Sequence, residues 1–107
     1  GQARLHTASD ADAAWAAIGQ QPAILEAMVD FAHEYSVILC RGADGTMVDW
    51  PVPVNLHKGG ILATSSLPPP ALVREQAPAA VALARTVAEK LGHVGVLTCE
   101  FFACRDG

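Results

Sequence analysis

Between Lys90 and Arg105 the chain carries a single formal charge, Glu100, inside the run VGVLTCEFFA. Residues this rich in Val, Leu, Phe and Thr favour extended backbone. Such a strand cannot stand alone: it needs neighbouring strands and a covering layer to bury its apolar side. Strand side chains alternate, so Val94, Val96, Thr98, Glu100 and Phe102 share one face, and Leu97, Cys99, Phe101 and Ala103 the other. A carboxylate in this setting is costly unless it is paired, hydrated or bound to metal. Glu100 therefore reads either as a salt-bridged or strand-end residue near solvent, or as a metal-binding carboxylate in a cleft.

The rest of the chain must supply the sheet partners and the cover. Residues 7–20 read as a helix, with Thr7 or Ser9 as cap, Asp10 and Asp12 beside the first-turn amides, and Ala14, Trp15 and Ile18 at helical spacing. Gln20-Gln21-Pro22 ends it, because the residue before proline avoids helix. Ala23 to Val29 is a short apolar segment interrupted by Glu26. Glu34 to Arg41 (EYSVILCR) reads as a strong strand, Gly42 to Gly45 as a turn, and Thr46 to Val54 as an antiparallel return strand. Pro51 and Pro53 lack ladder donors and put that strand at an edge or at its end. Residues 55–70 read as irregular, with a brief Ile61–Thr64 segment before Pro68-Pro69-Pro70. A helical region spans about Ala71 to Leu91, with Pro78 starting its regular part, Val81, Ala84, Val87, Ala88 and Leu91 on one face, and Gly92 as its C-terminal cap. Val94 to Cys104 is the last strand, and Arg105-Asp106-Gly107 opens a turn. This order predicts an α+β fold, a mixed or antiparallel sheet with helices on one face, as one domain over residues 1–107.

Composition excludes several function classes. The chain has 107 residues, 51% of them hydrophobic and 17% charged, so a packed core rather than disorder is expected. Seven Lys and Arg against eleven Asp and Glu provide no basic stripe for nucleic acid. The richest apolar stretch, Ala79 to Val87, is broken by Arg85 and falls short of a membrane span. Residues 1–6 show no signal-peptide pattern. Three cysteines, Cys40, Cys99 and Cys104, contain no CxxC pair, which favours a reducing, cytoplasmic compartment. The absence of an initiating Met suggests a chain that begins partway through a protein or has been processed.

Few side chains present chemistry by themselves. Glu26 and Glu34 read as solvated edge carboxylates, or as parts of an extended connection that pairs with a planar base while a carboxylate accepts from a sugar diol. His57, in a Gly-rich stretch, reads as a solvated loop histidine or a ligand contact. His6, His33 and His93 have no partner spacing, no Cys/His set supports zinc, and Ser65-Ser66 lacks the context of a nucleophile elbow.

Taken together the residues carry more. ILEAMVDFAHEYSVILCRGADG, VPVNLHKGGILATS and LGHVGVLTCEFF, in this order, resemble the ATP-grasp core of the 5-(carboxyamino)imidazole ribonucleotide synthase family of carboxylate–amine ligases. The resemblance implies an ATP site. Gln2, after Gly1, corresponds to the tail of the glycine-rich loop over the phosphates. Glu26, Ala27, Met28 and Val29 correspond to the hinge along the adenine edge. Glu34 is the carboxylate for the ribose hydroxyls, His57 an ATP-site histidine, and Glu100 the first of two acidic Mg2+ ligands. The reaction it implies uses ATP and bicarbonate to carboxylate the amine of aminoimidazole ribonucleotide in purine biosynthesis.

Ala63 departs from the arginine usual in the family's Ile-Leu-Arg-Thr-Ser block. The substrate domain, the phosphate-loop lysine region and the second metal carboxylate have no counterpart in the chain. The expectation is a central piece, inactive alone, binding nucleotide no better than millimolar and self-associating as a homodimer or higher oligomer along its last strand. A non-catalytic interaction module and a sister ATP-grasp ligase are the competing readings.

Overall fold

The computed structural model describes residues 1–105. A 3-10 turn (Ala8–Asp10) leads into helix α1 (Ala11–Ala17), followed by strands β1 (His33–Arg41), β2 (Met47–Asp49), β3 (Val54–Lys58) and β4 (Ile61–Ser66), helix α2 (Ala71–Lys90) and strand β5 (Gly95–Ala103). All strand pairs are antiparallel. This is the expected α+β arrangement.

β1 is the centre of the sheet because it is apolar on one face along most of its length and has partners on both edges. β5 occupies one edge from His33↔Ala103 to Arg41↔Gly95. The other edge is shared. β2 pairs at Leu39↔Asp49 and Arg41↔Met47, and β3 pairs at Tyr35↔Val54 and Glu34↔Asn55. The single return strand expected over Thr46–Val54 is thus two strands on the same edge, interrupted at Pro51-Val52-Pro53. Four residues back along β1 match five forward between these pairs, so the register shifts by one across the interruption. The prolines cannot donate to the ladder, yet Trp50 N–H still bonds Ile38 O and Pro53 O accepts from Ser36 N–H.

Residues 55–70, expected to be irregular, hold the β3–β4 hairpin. Gly59 and Gly60 both have positive φ, +59° and +79°, the backbone that a tight two-residue hairpin turn demands and that glycine adopts without strain. β4 is exposed along its whole length.

α2 covers the sheet, packing on β1 and β5. Its buried residues are Val73, Ala80, Ala84 and Ala88, a helical stripe facing Tyr35, Val37, Leu39 and Ala103. Three of these four are alanine, which lets the helix lie close on the strands. Tyr35 and Phe101 stack at 5.5 Å between centroids. Gln76 Nε2 donates to Cys104 O at 2.8 Å and the Arg85 guanidinium pairs with Asp49, tying the helix to both sides of the sheet.

Pro78 lies inside α2 and does not start it. Proline inside a helix costs roughly 3 kcal/mol. Here the preceding turn is held because fully buried Val73 anchors it to the sheet, and Pro78 is exposed, so water can reach the carbonyl its missing N–H leaves free. Gly92 (φ +58°) ends the helix as expected, with His93 N–H bonding back to Ala88 O.

The N-terminal helix is shorter than the 7–20 expected. Asp10 accepts from the His6 and Thr7 amides at 2.8 and 2.9 Å, fixing its start. Gly19 and Gln20 at φ +74° and +56° stop it before Pro22 can. α1 packs chiefly on its own 3-10 turn, not on the sheet. Every residue from Gly19 to Asp30 is exposed. The turn expected at Arg105-Asp106-Gly107 lies largely outside the described residues.

Candidate functional site

The sheet face turned away from α2 is open. Alternation sends Glu34, Ser36 and Ile38 of β1 to this side, with Thr98, Glu100 and Phe102 opposite them on β5. Asn55 and His57 of β3 join from the other edge. Glu34, Asn55, His57, Glu100, Phe101 and Phe102 line a cavity of about 260 Å3.

Glu34 and His57, far apart in sequence, meet here. The imidazole Nδ1 contacts Glu34 Oε2. A carboxylate only accepts, so Nδ1 carries the hydrogen and Nε2 is turned the other way. Nε2 lies 4.0 Å from Glu100 Oε1. His57 therefore stands between two carboxylates, Glu34 of the adjacent β1 and Glu100 of β5 beyond it. His57 and Glu34 are about three-quarters buried, whereas the Glu100 side chain is 64% exposed. Glu100 is satisfied by solvent and keeps its oxygens free. Phe102 stacks on Phe31 at 4.4 Å, making an aromatic wall beside the charged groups.

His57, expected in a Gly-rich loop, is on β3, and that is why it faces Glu34 at all. The remaining sequence candidates are elsewhere. Gln2 and the whole of Glu26–Val29 are exposed, and neither contributes to the cavity lining. Met28 is 73% exposed. The structure thus brings together Glu34, His57 and Glu100 and leaves Gln2, Glu26, Ala27, Met28 and Val29 apart from them.

Sequence reasoning also missed a polar cluster on this face, joined to the cavity lining through Asn55. Asn55 and Ser36 are the buried polar residues of the sheet, at 7% and 5% exposure. Asn55 Nδ2 donates to Ser36 Oγ, and Ser65 Oγ donates to Asn55 Oδ1 at 2.9 Å. No local pattern marks these residues, because their partners come from three different strands.

The ATP-grasp domain model matches residues 1–107, the whole of this antiparallel sheet and the helix that backs it. The chain belongs to the ATP-grasp family. Within it, the similarity is to N5-carboxyaminoimidazole ribonucleotide synthases. The Brucella melitensis synthase is 46% identical over all of this chain and 30% of its own length. The crystal structure of the Thermus thermophilus synthetase superposes with a TM-score of 0.84 at 37% identity, over 94% of this chain and 28% of that one. An ADP complex of an N5-carboxyaminoimidazole ribonucleotide synthetase gives 0.85 at 36% identity, over 96% and 27%. The chain spans about 30% of the curated relative's length.

Proposed function

We propose that the chain forms the nucleotide-binding face of an N5-carboxyaminoimidazole ribonucleotide synthase. In that reaction ATP activates bicarbonate and aminoimidazole ribonucleotide is carboxylated on its amine, within cytoplasmic purine biosynthesis. The observation that carries the proposal is the convergence of Glu34, His57 and Glu100 from three strands on one cavity beside an aromatic wall. The ADP complex of a relative supports the nucleotide as the ligand.

Each residue has a role its chemistry permits. Glu34, an acceptor with one oxygen held by His57, accepts from the ribose hydroxyls with the other. His57 fixes Glu34 and presents Nε2 toward the nucleotide. The segment Glu26, Ala27, Met28 and Val29 lies outside the strands and has backbone N–H and C=O groups to offer the adenine edge, and Gln2 belongs with the loop over the phosphates.

Mg2+ prefers hard oxygen ligands, with one or two carboxylates supplemented by phosphates and water. Glu100 fits that share: it is solvated and its nearest ionic partner is 4.0 Å away. Among the described residues no group of three His, Cys, Asp or Glu could hold a metal by itself. The residues fit a cation shared with the phosphates, where it would neutralise charge during phosphoryl transfer.

The outer edge of β5 has no ladder partner among the described residues, and Val96 and Phe102 beside it are exposed. Pairing of two chains along that edge is part of the same proposal, and light scattering at micromolar protein reads it.

The deciding experiment is a titration of ATP, ADP and adenine, followed by Trp15 and Trp50 fluorescence. Binding of ATP that is weakened by Glu34→Ala, with adenine unaffected, is the expected result. Equal loss for both ligands would return Glu34 to a purely structural role.

A further inference from the structure

The β3–β4 ladder is not regular. Pairing runs Val54↔Ser66, Asn55↔Ser65, Leu56↔Thr64 and then slips to His57↔Leu62 and Lys58↔Ile61. Ala63 is the extra residue, so the bulge is in β4, facing the Leu56–His57 step of β3. A bulge bends its own strand and disrupts the ladder locally, so from this point on β4 braces β3 less regularly. The face that His57 takes is set by the pairing of β3 with β1, where a one-residue slip would carry it to the opposite side of the sheet. β3 has little else to prevent this: it is short, it meets β1 only at Glu34↔Asn55 and Tyr35↔Val54, and β4 is wholly exposed.

We infer that Asn55 is the positioning residue that prevents the slip. It lies on the last regular stretch before the bulge, opposite Glu34 on one side and Ser65 on the other. Its amide spends both ends on sequence-distant partners, Nδ2 on Ser36 of β1 and Oδ1 on Ser65 of β4. The amide carries a donor and an acceptor on one carbon and so bonds both serine hydroxyls at once. Buried at 7% exposure, either group would be costly to leave unpaired after a slip. The clamp thereby holds three strands at one level and keeps His57 on the Glu34 side. Asn55 acts on the nucleotide through His57 and Glu34; this inference rests on the proposed nucleotide site only for its affinity readout.

The test compares Asn55→Leu, which is close in size and cannot hydrogen-bond, with Ser65→Ala, which removes one tie from an exposed strand and should leave folding intact. Nuclear Overhauser contacts between the His57 ring and the Glu34 side chain are read beside the β1–β5 cross-strand contacts, and ADP and adenine are titrated. In Asn55→Leu the His57–Glu34 contacts should vanish while the β1–β5 contacts persist, and ADP should weaken by about tenfold with adenine unchanged. Ser65→Ala should give doubled His57 resonances from two registers and an intermediate loss of ADP affinity. If His57–Glu34 contacts survive in both variants, or if Asn55→Leu fails to fold and Ser65→Ala leaves a single wild-type His57 environment, the clamp is wrong. If the unaltered chain binds no ADP, the nucleotide reading fails while the contacts still decide the role of Asn55.

Discussion

The two faces of the sheet are built from alternate residues of the same strands and do opposite work. Under α2, Tyr35, Val37, Leu39 and Ala103 interlock with Val73, Ala80, Ala84 and Ala88, and the charged groups on that side, Arg41 and the Arg85–Asp49 pair, lie outside this buried set. On the open side, one residue along, stand Glu34, Ser36, Glu100 and Phe102. The covered face is held by dispersion and water exclusion, which tolerate no polar intruder. The open face is held by a few hydrogen bonds and keeps its carboxylates reachable. The period-two alternation of a strand separates the packed face from the proposed nucleotide face at a distance of one residue.

The largest expected effect breaks the covered face. Leu39→Ala removes a fully buried side chain and should lower stability by about 2–5 kcal/mol, read as a reduced denaturant midpoint with the slope unchanged. Next comes the open face: Glu34→Ala should weaken ATP by about 1.5–3 kcal/mol, the worth of a hydrogen bond to a charged group, without a comparable loss of stability. A loss of folding in that variant would make the division between the faces artificial. Glu100→Gln sharpens the comparison further. Its side chain is mostly solvated, so stability should hold, while the Mg2+ dependence of nucleotide binding should disappear. Val96→Thr, at a 61% exposed position on the same face, should change stability by no more than about 0.5 kcal/mol.

The smallest effect lies outside both faces, in the exposed β1–β2 turn and the exposed start of the N-terminal helix. Hydrogen bonds from the Thr46 amide and hydroxyl hold the Asp44 carboxyl below its ordinary 3.8, and those from the Thr7 and His6 amides do the same for Asp10. A depressed folded-state pKa contributes stability above the unfolded value that is lost as pH falls through the folded one. The turn and the helix start should therefore loosen only below pH 3.8, with carboxyl titrations by NMR giving midpoints under that value for both.

The N-terminal region shows where local reading falters. Residues 7–20 have helical composition, yet only Ala11–Ala17 is α-helical, since no apolar face docks on the sheet to extend it. The opposite holds at α2, where Pro78 argues locally for a later start and burial of Val73 outweighs it. The hairpin turn is legible in Gly59-Gly60, but Asn-Leu-His-Lys before it lacks the β-branched alternation that marks a strand. Its strand character comes from pairing with β1 and β4, which the sequence does not display locally.

What the sequence determined by itself is local. The alternation along β1 and β5 assigned Glu100 and Phe102 to one face and Phe101 and Ala103 to the other, Gly92 stopped the last helix, and Pro51 and Pro53 broke the strand that contains them. The order of its motifs also carried the family. The tertiary structure alone decided that β2 and β3 share one edge of β1, that His57 lies between Glu34 and Glu100, and that Asn55 joins two serines beneath them. Those relations depend on strand order and register, which are set by packing between residues far apart in the chain. Neither propensity nor periodicity, acting over a few neighbours, encodes them.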